Sequence, residues 1–296
     1  MASGNDSPGA DPSNLWGNAR GGSALQTELK PRAEPSPGGT RDGDGIRDGD
    51  AIRLQQVSRT YRDRRGAGVH ALAGLSLHAG HGELLAVVGP SGCGKTTLLE
   101  LICGLQRPDG GTLACAPAAL MPQRDLLLPW LSALDNAALA LRIAHLPRAR
   151  ARARAAALFA ELGLDGFESA HPSELSGGMR QRVAFLRTLL SGKPLLCLDE
   201  PFGALDAITR AEMQEWLATT LAREPRTVAL VTHDVEEAIV LADRVVVLSP
   251  RPGRVLAEIE VEIARPRART DELVIALRER AIGLLQDGTR VATGGS

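Results

Sequence analysis

Aromatic side chains are scarce: they make up 3% of the 296 residues, with a single tyrosine, Tyr61. Any core must therefore be aliphatic, and a hydrophobic content of 44% is enough to supply one. Cysteine is sparse as well. Cys93, Cys103, Cys115 and Cys197 form no C-x-x-C pair, which argues against zinc-ribbon spacing or a disulfide framework and points to reduced, buried thiols. Net charge is nearly absent, at −1 with a pI of about 6.6, so the overall balance gives no pull toward nucleic acid or an anionic membrane surface. Uncharged apolar runs of about eighteen residues are missing, and so is an N-terminal basic segment followed by an apolar block. The expectation is a cytosolic chain whose membrane role, if it has one, comes through a partner.

What the first fifty residues have in abundance is Gly and Pro, fifteen of them, a share expected of a segment that does not fold. Residues 1–51 are therefore expected to be a disordered extension. Arg-Asp-Gly-Asp occurs at 41–44 and again at 47–50. A calcium loop would need an oxygen donor where Ile46 stands and a closing glutamate, so an acidic tail is the better reading.

The stretch Gly89-Pro90-Ser91-Gly92-Cys93-Gly94-Lys95-Thr96 has the spacing with which a backbone wraps a polyphosphate. An apolar run of strand length, 84–88, precedes it, and Thr97–Gly104 reads as a helix closed by glycine, the context such a loop requires. Its glycines let successive N–H groups face inward, and the helix N-terminus adds partial positive charge. Lys95 would reach the β- and γ-phosphates, and the Thr96 hydroxyl would ligate Mg²⁺.

Further chemistry is spread along the chain. Strand-like segments at Ile52–Val57 and Ala71–Leu77 flank Tyr61, whose ring could stack on a purine or simply fill a sheet edge. Gln123 lies at a strand end, able to accept from a metal-bound water. Residues from about Trp130 to Leu190 read as helical, and Arg148, Arg150, Arg152 and Arg154, every second residue, are expected to spray charge around a solvated helix. Leu175-Ser176-Gly177-Gly178-Met179 opens another helix and forms a second anion site by the same physics. The apolar strand 193–198 ends in Asp199-Glu200, two carboxylates that cost desolvation unless a cation or substrate uses them. Asp199 suits a Mg²⁺ shell, and Glu200 could polarise an attacking water. The strand 227–231 leads to His233, 244–248 is one more strand, and 271–285 is a final helix.

In combination these pieces resemble the ATP-binding subunit of an ABC transporter over roughly residues 52–265. The resemblance implies an α/β P-loop NTPase: a RecA-like mixed sheet with flanking helices, an N-terminal antiparallel β subdomain and an inserted helical subdomain at about 124–190. Residues 266–296 would be a C-terminal helix and tail. It implies that Tyr61 stacks on adenine, that Gly89–Thr97 hold the phosphates of ATP and that Thr96, Gln123 and Asp199 serve Mg²⁺. Glu200 would be the general base, Gln123 would also sense the membrane partner, and His233 would touch the γ-phosphate. Ser176, Gly177 and Gly178 would complete the site of a second copy of the chain. Met179 stands where the family usually has glutamine, a change expected to leave hydrolysis intact. The runs 122–130, 200–210 and 249–254 are similar to importer subunits of the nitrate, sulfonate and taurine group, with relatives for pyrimidine thiamin precursors. Those subunits work at the cytoplasmic face of the plasma membrane with a separate permease and an extracytoplasmic solute-binding protein, not with nucleic acid. A soluble ABC ATPase acting on ribosomes or DNA is the rival class, and a small-molecule kinase would leave the Leu175–Met179 segment unexplained.

Overall fold

The computed structural model describes residues 49–64 and 66–293, and the expectations placed on residues 1–48 lie outside the described residues. The described residues open with a long antiparallel pair, β1 (Asp50–Arg62) and β2 (Gly68–Gly80). Both strands outrun the segments expected from sequence, because their ends carry polar residues on a half-exposed face that hides the apolar alternation. The apolar run β3 (Leu84–Val88) is buried throughout and passes through the glycine loop into α1 (Lys95–Ile102). Next come β4 (Gly110–Cys115), which pairs with β1, and β5 (Ala118–Met121).

A helical stretch follows: α2 (Ala133–Ala137), α3 (Leu139–Ile143), α4 (Arg148–Ala156) and α5 (Gly177–Leu189). It is more broken than the continuous helical pattern suggested. Pro147 caps α4, Gly163 and Gly166 hold positive φ, and Pro172 starts a single 3-10 turn before α5. The charge pattern on α4 also differs from expectation. Arg148 and Arg152, one turn apart, both pair with the buried carboxylate of Asp135, at 2.9 and 2.7 Å, and so tie α4 to α2. Burial raises the Asp135 pKa, but these two guanidinium partners outweigh it and hold the group below the usual aspartate range.

The remaining elements alternate: β6 (Leu195–Asp199), α6 (Ala207–Arg223), β7 (Thr227–Thr232), α7 (Val235–Leu241), β8 (Arg244–Leu248), β9 (Val255–Glu260) and α8 (Glu272–Thr293). The larger sheet has six strands in the order β5-β6-β7-β3-β8-β9, parallel except for β9. β9 escaped the sequence reading; it is an edge strand whose exposed positions include Glu258 and Glu260, and only its period-two alternation marks it. The smaller sheet is antiparallel, β2-β1-β4. Helix α1 packs on β6 and β7 of one sheet and β2 and β4 of the other. Leu98, Leu99, Leu101 and Ile102 join both sheets in one aliphatic cluster, so the loop that starts α1 sits where the two layers meet. Cys93 and Cys197 are buried, whereas Cys103 and Cys115 are half-buried.

Candidate functional site

Three strand ends and one helix start build the site. The loop between β3 and α1 is forced into shape by Gly94, which has φ +104° and whose absent Cβ would lie 2.8 Å from the Ala71 carbonyl oxygen. Lys95, almost fully buried, donates from Nζ to the Gly89 and Pro90 carbonyls at 2.7 and 3.1 Å. Cys93 is buried behind it, and burial pushes its thiol up, which keeps it unreactive. Ser91, Gly92 and Thr96 are exposed on the open side.

The Thr96 hydroxyl donates to Asp199 Oδ2 at 2.8 Å. Burial pushes the Asp199 pKa up, and the Thr96 hydrogen bond only partly opposes this, so the carboxylate is held in a place that favours an added cation. The next residue, Glu200, has φ +48°, a left-handed backbone that is strained for glutamate. Both of its side-chain oxygens are engaged: Gln123 Nε2 donates to Oε2 at 2.9 Å, and His233 Nδ1 lies 3.1 Å from Oε1. Gln123 follows β5, Glu200 follows β6 and His233 follows β7, so the carboxyl ends of three adjacent strands converge on one carboxylate.

Tyr61 lies on β1 at the other end. Its hydroxyl donates to Gln106 Oε1 at 2.9 Å and lies 3.2 Å from Thr97 Oγ1, while the Arg59 guanidinium covers its ring at 5.1 Å. A cleft of about 320 Å³ joins these groups, lined by Tyr61, Ser91, Gly92, Gly94, Lys95, Thr96, Thr97, Gln123, Asp199 and Glu200, with Val69, Ala71 and Arg251. For a divalent cation the available donors are oxygens: the Thr96 hydroxyl, the Asp199 carboxylate and the Gln123 amide. That set fits Mg²⁺, which is commonly held by one or two protein groups together with phosphate and water.

Ser176, Gly177 and Gly178 are not among the cleft's lining residues. Ser176 caps α5, accepting from the Met179 N–H at 3.2 Å, and both Ser176 and Gly177 are exposed. Gly178 abuts the loop after β6, since a Cβ there would fall 3.1 Å from Leu205. Sequence reasoning missed Gln181. Its amide donates to the Glu200 carbonyl at 3.0 Å and accepts from the Ala204 N–H at 3.1 Å, so one buried side chain of α5 ties down both ends of the segment that carries Glu200. No local signal marks it, because the contact spans nineteen residues or more.

A profile of the ABC transporter family matches residues 72–203. Over 241 residues the chain is 45% identical to aliphatic sulfonates import ATP-binding protein SsuB 1 of Rhodococcus jostii, spanning 79% of this chain and 93% of that one. Identity is 44% over 229 residues with the taurine import ATP-binding protein TauB of Chromobacterium violaceum, spanning 72% and 88%. It is 43% over 204 residues with the formylaminopyrimidine import ATP-binding protein ThiZ of Halalkalibacterium halodurans, spanning 67% and 82%. The solved dimer of the ATP-binding cassette MJ0796 bound to ADP and Pi matches with a TM-score of 0.66 at 28% identity, spanning 72% of this chain and 100% of that one. With relatives matched along most of their length and a phosphate loop facing Asp199 and Glu200, this chain belongs to the ABC transporter family.

Proposed function

We propose that this chain is the ATP-binding and ATP-hydrolysing subunit of an importer, working as a pair of identical copies beneath a separate permease. The observation that carries this reading is a division of parts: Glu200 and the phosphate loop line one cleft, while Ser176 and Gly177 at the start of α5 point to solvent. Tyr61 holds adenine at one end of the cleft, and Gly89–Thr97 take the phosphates through backbone N–H groups, Lys95 and the start of α1. Mg²⁺, held by Thr96, Asp199 and Gln123, offsets phosphate charge when bound. Glu200, fixed by Gln123, His233 and Gln181, accepts the proton of the attacking water, and His233 lies next to it for contact with the γ-phosphate. Ser176, Gly177 and Gly178 of the second copy close the cleft with another helix N-terminus. ATP thus joins two copies, and hydrolysis lets them part. The Met179 side chain leaves this arrangement untouched, because the contact to Ser176 uses its backbone.

The loop after Gln123 supports a permease partner. Asn136 and Arg187 hold its backbone with hydrogen bonds to Leu128, Leu131, Asp125 and Leu126, yet Leu126 and Trp130 are 60% and 70% exposed. A rigid loop that presents apolar side chains beside a catalytic contact suits a docking surface. Among the described residues no helix is long and apolar enough to cross a membrane, so attachment at the cytoplasmic face would run through that partner. The names of the relatives favour a sulfonate, taurine or thiamin-pyrimidine type of solute, delivered by an extracytoplasmic binding protein. Affinity isolation of tagged Glu200→Gln protein from detergent extracts with ATP tests the whole reading. We expect two copies bound to a multispanning permease and hydrolysis reduced by roughly 100-fold or more. Normal turnover, or recovery of ribosomes or DNA instead, would overturn it.

A further inference from the structure

The segment Ser249-Pro250-Arg251-Pro252-Gly253-Arg254 has no part in the roles given above, yet Arg251 lines the same cleft. The loop is held firmly. The Ser249 N–H donates to the Arg254 carbonyl at 2.9 Å, and the Ser249 hydroxyl accepts from the Arg254 N–H at 3.0 Å. Gly253 N–H donates to the Ala71 carbonyl at 2.8 Å, and Ala73 N–H donates to the Gly253 carbonyl at 3.1 Å, which sews the loop to β2. A Cβ on Gly253 would lie 2.2 Å from the Cys93 carbonyl oxygen, so the absence of a side chain lets the loop press against the phosphate loop itself. The stem of Arg251 is therefore fixed, while its side chain is exposed, with no hydrogen bond or ion pair to it among the described residues.

Charge makes this position consequential. The cleft's lining contains Asp199 and Glu200 against two cations, Lys95 and Arg251. Lys95 already donates to two carbonyls of its own loop. A nucleoside triphosphate with one divalent cation still carries about two negative charges, which a single lysine does not balance. A guanidinium matches phosphate oxygens in a fork that an ammonium cannot reproduce. The loop is anchored to Ala71, and so Arg251 enters from the side that Tyr61, Val69 and Ala71 line rather than from β6, which carries Asp199 and Glu200.

We propose that Arg251 is a nucleotide-binding residue whose guanidinium holds the non-terminal phosphates, those shared by ATP and ADP. The proposal rests on the reading that this cleft takes ATP. Calorimetric titration of the full chain with ATP and with ADP, in magnesium buffer, tests it without recourse to turnover. Arg251→Ala should weaken both nucleotides by about tenfold, Arg251→Lys should recover part of the loss, and exposed Arg254→Ala, outside the cleft, should change neither. Because Arg251 is exposed, the melting temperature should stay at the native value. Native-like ADP binding by Arg251→Ala, or a loss confined to ATP, overturns the proposal, as does an equal loss in Arg254→Ala, which would mark a general field effect. Lys95→Ala separates the two levels of inference: if it too binds as the native chain does, the cleft is not the ATP site and both readings fall together.

Discussion

Two helix starts in this chain use the same local chemistry and end up as different things. Helix α1 opens from Gly92-Cys93-Gly94 and helix α5 from Ser176-Gly177, each presenting free N–H groups and the positive end of a helix dipole. The first faces a cleft with Lys95, Asp199 and Glu200 around it, whereas the second faces solvent, with only the Arg180 guanidinium near the place where a Gly177 side chain would be. An anion site is therefore made less by its own loop than by what the fold sets opposite. On the proposed reading the cleft holds a base, Glu200, and a phosphate cradle, and the exposed helix start has neither. Each supplies what the other is missing, which is the physical reason for expecting two copies to act as one enzyme.

The sharpest way to break this comparison is to damage the two starts in separate chains. Lys95→Ala empties the cradle of its cation, and Ser176→Glu puts a carboxylate where an anion should dock. Each variant alone should lose about 100-fold or more of its hydrolysis, in line with removal of one preorganised donor from a transition state. Mixed together, they should recover activity that neither has, because the intact cradle of one copy meets the intact helix start of the other. Phosphate release from the separate and mixed samples checks this. If mixing restores nothing, the α5 start serves its own chain and the complementarity is false.

Much of the first region is legible in the sequence, because its chemistry is local. Glycine, lysine and threonine between an apolar run and a helix can do little else at that spacing, and a carboxylate pair closing an apolar strand announces itself by its desolvation cost. The second region was legible only as a motif. What fixes it to the first is Gln181, which in the sequence is one polar residue among the arginines of an amphipathic helix. The same holds for Asp135, whose partners Arg148 and Arg152 looked like a solvated array, and for Arg251, whose loop is closed by β2 and the phosphate loop. Contacts that form only when elements pack leave no periodicity to read.

Gln181→Ala tests that joint between the regions, with a smaller effect. The variant loses two hydrogen bonds from a buried side chain, at about 1 kcal/mol each, and the melting temperature should fall by roughly 4–8 °C. Hydrolysis should fall further than stability implies, about tenfold, because Glu200 is held in a strained backbone that relaxes once its carbonyl is released. KM for ATP should hold steady, since the phosphate loop is untouched. A drop in stability with normal turnover would make Gln181 a packing residue only.

The smallest effect concerns pH, and it separates the regions once more. Asp234, next to His233, caps helix α7, and Glu237 in its first turn is 5% exposed, with Oε1 lacking a hydrogen-bond partner among the described residues. Burial first, and the neighbouring Asp234 carboxylate second, push its carboxyl from 4.5 up to about 8. Below pH 4.5 the group is neutral in both folded and unfolded chains. Between 4.5 and 8 the unfolded chain releases a proton that the folded chain keeps, so stability declines as pH rises through this window, and above 8 the full penalty of a buried charge is present. Glu237→Gln removes the titration. Its melting temperature should match the native value near pH 4.5 and exceed it by a few degrees at pH 9, as read from parallel thermal melts. Among the described residues the start of α5 has no comparable buried acid. Equal gains for Glu237→Gln at both pH values would mean that the carboxyl does not titrate between them in the folded chain, and the loss of stability at rising pH assigned to it would have to lie elsewhere.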